Sequence, residues 1–332
     1  MNIQIKNGRI IDPANAVDEV TDLYIQDNKI AALAGAPTGF QADLVIDAEN
    51  SIVCPGLVDI RARLREPGLE HKGTIESETQ AAAHGGVTTL CTPPDTDPII
   101  DTPAVVDLIQ HRVLNAGKCN VVNLGALTVG LEGHQLSEIA RLKEAGCVGI
   151  TNSHNYISNA KVMRLAMEYV ASLDMTLFLH AQDQSLVAQG CAHEGEISTR
   201  LGLEGISESA ETIAVSRDLI LIEQTGVRAH FCQLSTVNAA KMIARAQHDG
   251  MPVTADVAAH HLHLTDMDIG YFNSQCHVNP PLRSRRDLEG LRSSVCNGAV
   301  TTICSDHQPH DVDAKLAPFA QTEPGKIGRA HV

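Results

Sequence analysis

The segment Cys54-Pro55-Gly56-Leu57-Val58-Asp59-Ile60-Arg61-Ala62-Arg63-Leu64-Arg65-Glu66-Pro67-Gly68 decides the fold, because a short apolar run in it ends in a polar loop. Residues 56–60 have the character of a buried strand, and three arginines follow that strand at alternate positions. Functional side chains of parallel α/β proteins collect at such carboxyl ends of strands. A guanidinium stays protonated in a protein and has no lone pair to offer a metal ion.

Seven more apolar runs of this kind follow along the chain, separated by helical patterns. The eight runs cover residues 56–60, 87–91, 121–127, 147–151, 176–179, 229–234, 253–257 and 299–304. Apolar residues at helical spacing predict helices over 162–173, 209–225 and 237–247. Repeated alternation predicts a parallel sheet, and eight units predict a (β/α)8 TIM-like barrel. A doubly wound open sheet is the alternative, but Pro67-Gly68 is not the glycine-rich phosphate turn that normally marks it.

The chain is predicted to contain two folded parts and a short tail. Residues 1–51 read as a small β module, with alternating strands at Ile3-Gln4-Ile5, Leu23-Tyr24-Ile25 and Leu44-Val45-Ile46 and turn signals at Asn7-Gly8, Asp12-Pro13 and Asp27-Asn28. Residues 52–325 are assigned to the barrel, which we expect to be incomplete at its C-terminal end. Residues 326–332 form a tail of different character.

Charge and composition argue against nucleic-acid and membrane partners and favour a reducing compartment. The formal net charge of −15 argues against nucleic acid and anionic membranes, since both need a basic surface. No apolar stretch approaches the roughly 18 residues of a membrane span, and the N-terminus lacks the apolar core of a signal peptide. The nine cysteines show no paired spacing, which predicts free thiols in a reducing cytoplasm.

Polar residues at the predicted carboxyl ends of the strands are the candidate site. They are Arg61, Arg63, Pro94, Asp95, Asn152, His180, Gln233, His260, His261 and Asp306.

Five motifs carry a specific resemblance to a known family. They are Pro55-Gly56-Leu57-Val58-Asp59, His180-Ala181-Gln182-Asp183, His193-Glu194-Gly195-Glu196, Val278-Asn279-Pro280-Pro281-Leu282-Arg283 and Ser305-Asp306-His307-Gln308-Pro309-His310. Together they resemble class I dihydroorotase of the amidohydrolase superfamily, over residues 6–325. The resemblance implies an amidohydrolase barrel whose active members hold two zinc ions and reversibly close carbamoyl aspartate to dihydroorotate.

The resemblance also implies which positions hold metal in active relatives, and most of them differ here. The paired histidines of the first strand correspond to Arg61 and Arg63, and the bridging aspartate of the fourth strand corresponds to Asn152. The histidine of the fifth strand is kept as His180. A sixth-strand histidine, in a His-Leu-Ser-Thr motif, corresponds to Gln233, and the eighth-strand aspartate that serves as base is kept as Asp306.

Four of these six positions have therefore lost a ligating group. Zinc normally takes at least three protein ligands in a catalytic site, and two guanidinium groups would repel a divalent ion. Without metal, hydroxide is not generated near neutral pH and the amide carbonyl has no Lewis acid. The sequence predicts a vestigial site without catalytic residues, zinc or another cofactor.

The positions that match the family's substrate-binding residues are partly kept. Arg65, Asn279 and His310 match them, but Asp95 stands where the family has an asparagine. An anion in place of a neutral amide should repel an anionic substrate.

Two interpretations of the arginines remain open. Arg61 and Arg63 could pair with Asp306 and Asp95 as structural ion pairs, or together with Arg65 they could hold a carboxylate or phosphate. Histidines without ligand spacing are interpreted as surface or satisfied core groups; they include His71, His84, His111, His134 and His154.

Three functional hypotheses follow. The first is a catalytically inactive dihydroorotase-like pseudoenzyme, because some bacterial members of the family are non-catalytic chains that assemble with the aspartate transcarbamoylase catalytic chain in pyrimidine biosynthesis. The alternative is a cyclic amidohydrolase, metal-dependent or metal-free, with an altered active site. A third is a sensor that binds a pyrimidine intermediate without turnover. The family normally continues beyond Gly325, so the resemblance predicts that this ending is a truncation with exposed strand edges, and hence an unstable or partner-dependent chain.

Overall fold

The structure is a computed structural model that describes residues 1–327. By contact it divides into two compact units, Met1–Leu57 and the chain from Val58 onward. Each unit contains strands that the sequence predicts. The predicted tail lies mostly outside the described residues.

The N-terminal unit is a five-stranded sheet. Its strands are β1 (Ile3–Asp12), β2 (Val17–Gln26), β3 (Lys29–Leu33), β4 (Leu44–Asp47) and β5 (Ile52–Val53). Strand β2 pairs antiparallel with β1 and β3, whereas β4 and β5 run parallel to β1. The three strands predicted from alternating residues are confirmed.

The turn predicted at Asn7-Gly8 is wrong. Strand β1 runs through these residues, and its register with β2 shifts between Ile5 and Gly8. Asn7 has φ 62°, a left-handed conformation that asparagine tolerates better than most residues, so the signal marks a β-bulge within a strand. A Cβ on Gly8 would lie 2.6 Å from the Val53 side chain, which is why glycine fits there.

The second unit is built on the predicted barrel, and all eight predicted strands are present. They are β6 (Leu57–Asp59), β7 (Val87–Thr92), β8 (Asn120–Ala126), β9 (Gly149–Thr151), β10 (Thr176–Leu179), and, after the short parallel pair β11 (Ala192–His193) and β12 (Gly205–Ile206), β13 (Arg228–Phe231), β14 (Val253–Ala258) and β15 (Thr302–Cys304). The eight form one sheet in chain order.

Contacts just beyond the first strand bring the two edges of this sheet together. The Arg63 N–H donates to His307 O at 2.8 Å, and Ala62 forms a parallel bridge with His307, just after the last strand β15. On its other side, the Ala62 N–H donates to Cys91 O of the neighbouring strand β7 at 3.0 Å. The sheet is therefore a nearly closed barrel, and the open doubly wound sheet is excluded.

Helices follow the strands. They are α1 (Ile75–His84), α2 (Pro103–Ala116), α3 (Ile139–Glu144), α4 (Ala160–Ser172), α5 (Gln184–Val187), α6 (Glu196–Leu201), α7 (Ser209–Thr225), α8 (Val237–His248) and α9 (Arg285–Cys296). Short 3-10 helices cover Pro13–Asn15, Val129–Leu131, Ala259–Leu262, Asp266–Ile269, Ser274–Cys276, Asp313–Lys315 and Phe319–Gln321, and β16 (Pro309–His310) pairs with β17 (Lys326–Ile327). The helices predicted near α4, α7 and α8 are confirmed.

The apolar core of this unit lies between the barrel strands and the helices that cover them. Leu90, Ile150, Leu177, Phe231 and Val257, one from each of five strands, are fully buried. Because apolar side chains fill the inside of such a barrel, functional polar residues collect at the carboxyl ends of its strands. None of the helices within residues 1–327 has the length and apolar content of a membrane span.

Candidate functional site

The carboxyl ends of the barrel strands hold a connected group of polar side chains. We call it the mouth group, and it comprises Arg61, Arg63, Asp95, His154, His180, Gln233 and Asp306. Most of these residues were predicted as site residues, and the barrel brings them together from six different strand ends. His154 is the member that the sequence interpretation assigned to the surface or the core.

Arg63 makes the strongest ion pair of the mouth group. Its Nη2 lies 2.8 Å from Asp95 Oδ2 and its Nε donates to the same oxygen at 2.9 Å. Nη1 donates to Gln308 Oε1 at 3.0 Å, and the Arg63 side chain is only 4% exposed. Burial opposes ionisation of Asp95, but Arg63 and Arg61 outweigh it and hold the pKa of that carboxyl below its usual value. Ser153 Oγ also donates to Asp95 at 3.0 Å.

Arg61 occupies the centre of the group. Its Nη2 lies 3.0 Å from His154 Nε2, and its Nε lies 3.5 Å from Asp306 Oδ1. The side chain is 3% exposed. The guanidinium therefore points its positive charge at one imidazole nitrogen and one carboxylate, the two kinds of group that a metal ion would use.

Asp306 is buried beside both arginines but hydrogen-bonded to neither. The shortest ion-pair distances are 3.5 Å to Arg61 and 3.6 Å to Arg63, and Oδ1 has no hydrogen-bond partner among residues 1–327. Burial raises the pKa of Asp306 to about 6, against the lowering effect of Arg61 and Arg63. The expected ion pairs are thus present, but the one to Asp95 is tight and the ones to Asp306 are loose.

Two imidazoles pack edge to face in the mouth group. The rings of His154 and His180 are 4.2 Å apart at an angle of 83°. Burial, with the charge of Arg61, lowers the pKa of His180 to about 3, and burial also lowers the pKa of His154. Both rings are therefore neutral near pH 7. His180 Nε2 lies 3.3 Å from Gln182 Oε1.

Gln233 sits at a strained turn between β13 and α8. Its φ is 55° and it is 1% exposed. Its backbone N–H donates to Asp256 Oδ1 at 2.8 Å, but neither polar atom of its side-chain amide has a partner in the described part of the chain. The turn leads directly to Thr236, whose side chain accepts from the Ala239 N–H and caps α8. The motif therefore keeps its structural role while the side chain at Gln233 makes no polar contact.

Asn152 has become part of a loop. Its Oδ1 accepts from Thr128 Oγ1 at 2.7 Å, and its Nδ2 donates to Asn155 O at 2.9 Å and to Leu131 O at 3.2 Å. An aspartate could not donate the last two hydrogen bonds. Asn152 is thus not in polar contact with the mouth group.

The residues that match the family's substrate-binding positions lie in two places. Arg65 Nε donates to Pro309 O at 2.9 Å and its Nη2 lies 3.1 Å from His310 Nε2. Burial lowers the pKa of Arg65 to about 10 and that of His310 to about 4. Asn279 lies before a cis peptide bond to Pro280, in the loop between β14 and α9.

These side chains do not fit the paired zinc site of active relatives. The retained imidazole of His180 and carboxylate of Asp306 supply two ligands, one fewer than a catalytic zinc normally takes. Arg61 lies on the Asp306 carboxylate and on His154, so a built-in cation occupies the surroundings that a metal ion would need. The side-chain amide of Asn152 is hydrogen-bonded to Thr128 and Asn155 and is not directed at a metal position.

Sequence reasoning missed residues that shape this site from neighbouring positions. His154 follows Asn152 by two residues in the same loop, and that closeness was the available signal. Gln308 and Asp256 contact the mouth group through Arg63 and the Gln233 backbone. Nothing in the sequence pattern singles out Asp256, which lies inside a strand.

A (β/α)8 barrel with its polar site at the carboxyl ends of the strands, preceded by a β unit, is the architecture of the hydantoinase and amidohydrolase proteins. The solved L-hydantoinase (dihydropyrimidinase) of Arthrobacter aurescens matches 98% of this chain and 74% of its own, with a TM-score of 0.85 and 22% sequence identity. A D-hydantoinase of Thermus sp. matches with a TM-score of 0.79 and 20% identity, over 98% of this chain and 74% of its own. At these identities the likeness concerns the fold.

The sequence comparisons identify the family. Residues 50–239 match the family model described as dihydro-orotase-like. A dihydroorotase-like protein of Pseudomonas putida is 50% identical over 325 residues, which are 98% of this chain and 77% of the relative, and one of Pseudomonas aeruginosa is 51% identical over 99% of this chain and 78% of the relative. A dihydroorotase of Syntrophotalea carbinolica is 40% identical over 99% of this chain and 77% of the relative. The chain belongs to the dihydroorotase-like family.

Proposed function

We propose that this chain is a catalytically inactive, dihydroorotase-like structural subunit that assembles with the catalytic chain of aspartate transcarbamoylase in pyrimidine biosynthesis. The observation that supports inactivity is the position of Arg61, whose guanidinium lies against Asp306 and His154. The partner follows from the resemblance to non-catalytic members of the family. The proposal includes a cytoplasmic location, in keeping with nine cysteines that form no disulfide within residues 1–327.

Electrostatics support the loss of chemistry. Arg61 and Arg63 bring two positive charges into the mouth, and Asp95 and Asp306 balance them, so the group is close to neutral without a metal ion. Adding a divalent cation would leave uncompensated charge in a buried site, which is costly. His180 is held neutral and Asp306 lies within ion-pair distance of two guanidinium groups, so neither is arranged to activate water.

Substrate binding is altered as well. Arg65 is kept, but its guanidinium is already engaged by Pro309 O and His310. Asp95 places a carboxylate, ionised by Arg63, where the family has an asparagine. An anionic substrate such as dihydroorotate would meet this carboxylate near the same pocket.

The first test is co-expression of this chain with the aspartate transcarbamoylase of the same organism. We expect a defined hetero-oligomer whose transferase activity falls when this chain is omitted. The assembly mass and the activity of the same catalytic chain alone provide the comparison. Absence of association would remove the structural-subunit proposal.

The second test concerns the lost chemistry. Protein purified after zinc supplementation should show no dihydroorotase activity above a protein-free blank, in both directions of the reaction. Appreciable turnover would support the alternative, an amidohydrolase with an altered site. The quadruple variant Arg61→His/Arg63→His/Asn152→Asp/Gln233→His restores the ligand types of active relatives, and we expect it to bind at least about tenfold more zinc than the parent. Equal zinc content in the two proteins would contradict the role given to these positions.

A further inference from the structure

A second group of metal-ligating side chains lies inside the barrel, next to the mouth group but separate from the positions that the family uses. His230, Cys232 and Asp256 each offer one ligand atom, and these three atoms lie within 4.8 Å of one another. All three residues are buried. With Cys304, whose Sγ lies 3.2 Å from Asp256 Oδ1, we call this set the inner cluster.

The orientation of His230 suits a metal ligand. Its Nδ1 lies 2.7 Å from Thr254 Oγ1, and its Nε2 faces Asp256 Oδ2 at 2.9 Å. Histidines that bind metals typically have the other ring nitrogen hydrogen-bonded to a fixed neighbour, which sets the ring orientation and the tautomer. Thr254 provides that neighbour, so Nε2 is the nitrogen directed at the cluster.

The donor types match a zinc-type ion. Zinc in proteins is bound by imidazole nitrogen, thiolate sulfur and carboxylate oxygen, normally four in a tetrahedron. His230, Cys232 and Asp256 supply one of each. Cys304 contacts Asp256 but lies outside this group of mutually close ligand atoms, so it would have to move closer to become the fourth ligand. Zinc bonds of about 2.0–2.3 Å place neighbouring ligand atoms about 3.3–3.8 Å apart. The 2.9 Å contact between His230 and Asp256 therefore needs to open by less than about 1 Å.

Charge distinguishes the inner cluster from the mouth group. In the mouth the arginines and aspartates already balance, but the inner cluster contains two thiols that can become anions. The nearby Arg61 guanidinium favours the Cys232 thiolate and lowers the pKa of that thiol, although burial dominates and raises the pKa of both thiols in the unbound protein. Two thiolates and the Asp256 carboxylate would carry three negative charges, most of which one divalent ion would neutralise.

We propose that the inner cluster is a structural binding site for one zinc-type divalent cation, held by His230 Nε2, Cys232 Sγ and the Asp256 carboxylate, with Cys304 in the fourth position. On binding, the metal–sulfur bonds form as the thiol protons leave to solvent, and no oxidation occurs. His230 takes the tautomer in which Nδ1–H donates to Thr254 Oγ1, so the proton that Nε2 directs at Asp256 in the unbound protein is given up and the Nε2 lone pair is free to bind the ion. The ion replaces the hydrogen bonds of Asp256 to His230 and Cys304. This site does not depend on the proposed function, because none of its residues is among the positions that match the metal ligands of active relatives.

Co²⁺ alone is the probe, because a cobalt–thiolate bond gives a charge-transfer absorption band. The exposed Cys54 and Cys296 are first replaced, as Cys54→Ser/Cys296→Ser, to remove adventitious thiol binding. Because the cluster is buried, Co²⁺ is supplied during expression as well as to refolded protein. In that background Cys232→Ser and His230→Gln disrupt the cluster, and His180→Ala is the matched control at the mouth. Circular dichroism and gel filtration establish that each variant is folded.

We expect about one equivalent of Co²⁺ with a thiolate band in the background protein and in His180→Ala, and at least a tenfold weaker band in folded Cys232→Ser. If only one of the disrupting variants folds, that variant decides the result. Less than about 0.1 equivalent in the folded background protein, or an unchanged band in Cys232→Ser, overturns the proposal. Metal that is lost in His180→Ala but kept in Cys232→Ser would place the ion at the mouth, and would count against the proposed loss of chemistry as well.

Discussion

The mouth group and the inner cluster are adjacent in one barrel, yet they differ in how many of their buried polar atoms have hydrogen-bond partners. At the mouth, the side-chain amide of Gln233, Asp306 Oδ1 and His180 Nδ1 are buried without a hydrogen-bond partner in residues 1–327. In the inner cluster, both ring nitrogens of His230 and both oxygens of Asp256 are engaged. Buried polar groups are normally satisfied, so the unpartnered atoms at the mouth fit the proposed loss of a ligand set there.

The mouth group and the inner cluster also differ in what they contribute to the fold. Arg61 Nε and the Gln233 amide have no hydrogen-bond partner within residues 1–327, yet the eight-stranded sheet is intact, because these side chains follow the strands and take no part in the pairing of the sheet. Asp256 holds the backbone of Gln233 and the ring of His230 from within strand β14. We therefore expect substitutions in the inner cluster to affect stability more than substitutions at the mouth.

The largest effect is expected for Asp256→Ala. The change leaves the buried Gln233 N–H and the His230 ring without their acceptor, and should lower the free energy of unfolding by about 3 kcal/mol or more. Denaturant unfolding after dialysis against a chelator measures this effect without any bound metal. Thr254→Val, which removes only the outer hydrogen bond of His230, is the control and should cost about 1 kcal/mol. Equal losses in the two variants would contradict the difference between the mouth group and the inner cluster.

An intermediate effect on the free energy of unfolding is expected from the titration of the Asp306 carboxyl group. Its pKa is raised to about 6 in the folded protein, so between about pH 4 and pH 6 the folded state binds more protons than the unfolded state. The stabilisation is present below the unfolded pKa and is lost as the pH rises through about 6, by about 2–3 kcal/mol in total.

Asp306→Asn should remove this contribution. The melting temperature of the parent relative to Asp306→Asn should therefore fall from pH 4 to pH 7, and the difference curve isolates Asp306 from other titrating groups. A difference that stays constant over this range would show that the carboxyl group is not perturbed by burial at the mouth.

The smallest effect is expected for Gln233→Leu. Because neither amide atom has a partner among the described residues, removing the amide should leave stability unchanged or raise it by about 1 kcal/mol. Gln308→Leu is the matched control, since Gln308 accepts from Arg63 and donates to Pro324 O, and should cost about 1–3 kcal/mol. A loss above about 2 kcal/mol in Gln233→Leu would show that the mouth amide is engaged after all.

Much of the fold could be predicted because its signals are local. The eight apolar runs became the eight barrel strands, and the pattern over 209–225 became α7 with the same bounds. The turn prediction at Asn7-Gly8 failed because a residue in the left-handed conformation fits a β-bulge as well as a turn. The sequence pattern cannot distinguish a bulge from a turn, because the difference depends on whether β1 continues to pair with β2 beyond Gly8.

The candidate site was predictable only as a set of residues. The sequence by itself determined the barrel, the family resemblance and the presence of Arg61 and Arg63 after the first barrel strand, because strand spacing and side-chain chemistry are properties of the chain. Only the tertiary structure decided that Arg63 pairs tightly with Asp95 while Asp306 stays loosely held, that His154 meets Arg61, and that His230, Cys232 and Asp256 lie together. Those contacts join residues from different strands, and their distances are set by the closure of the barrel rather than by spacing along the chain.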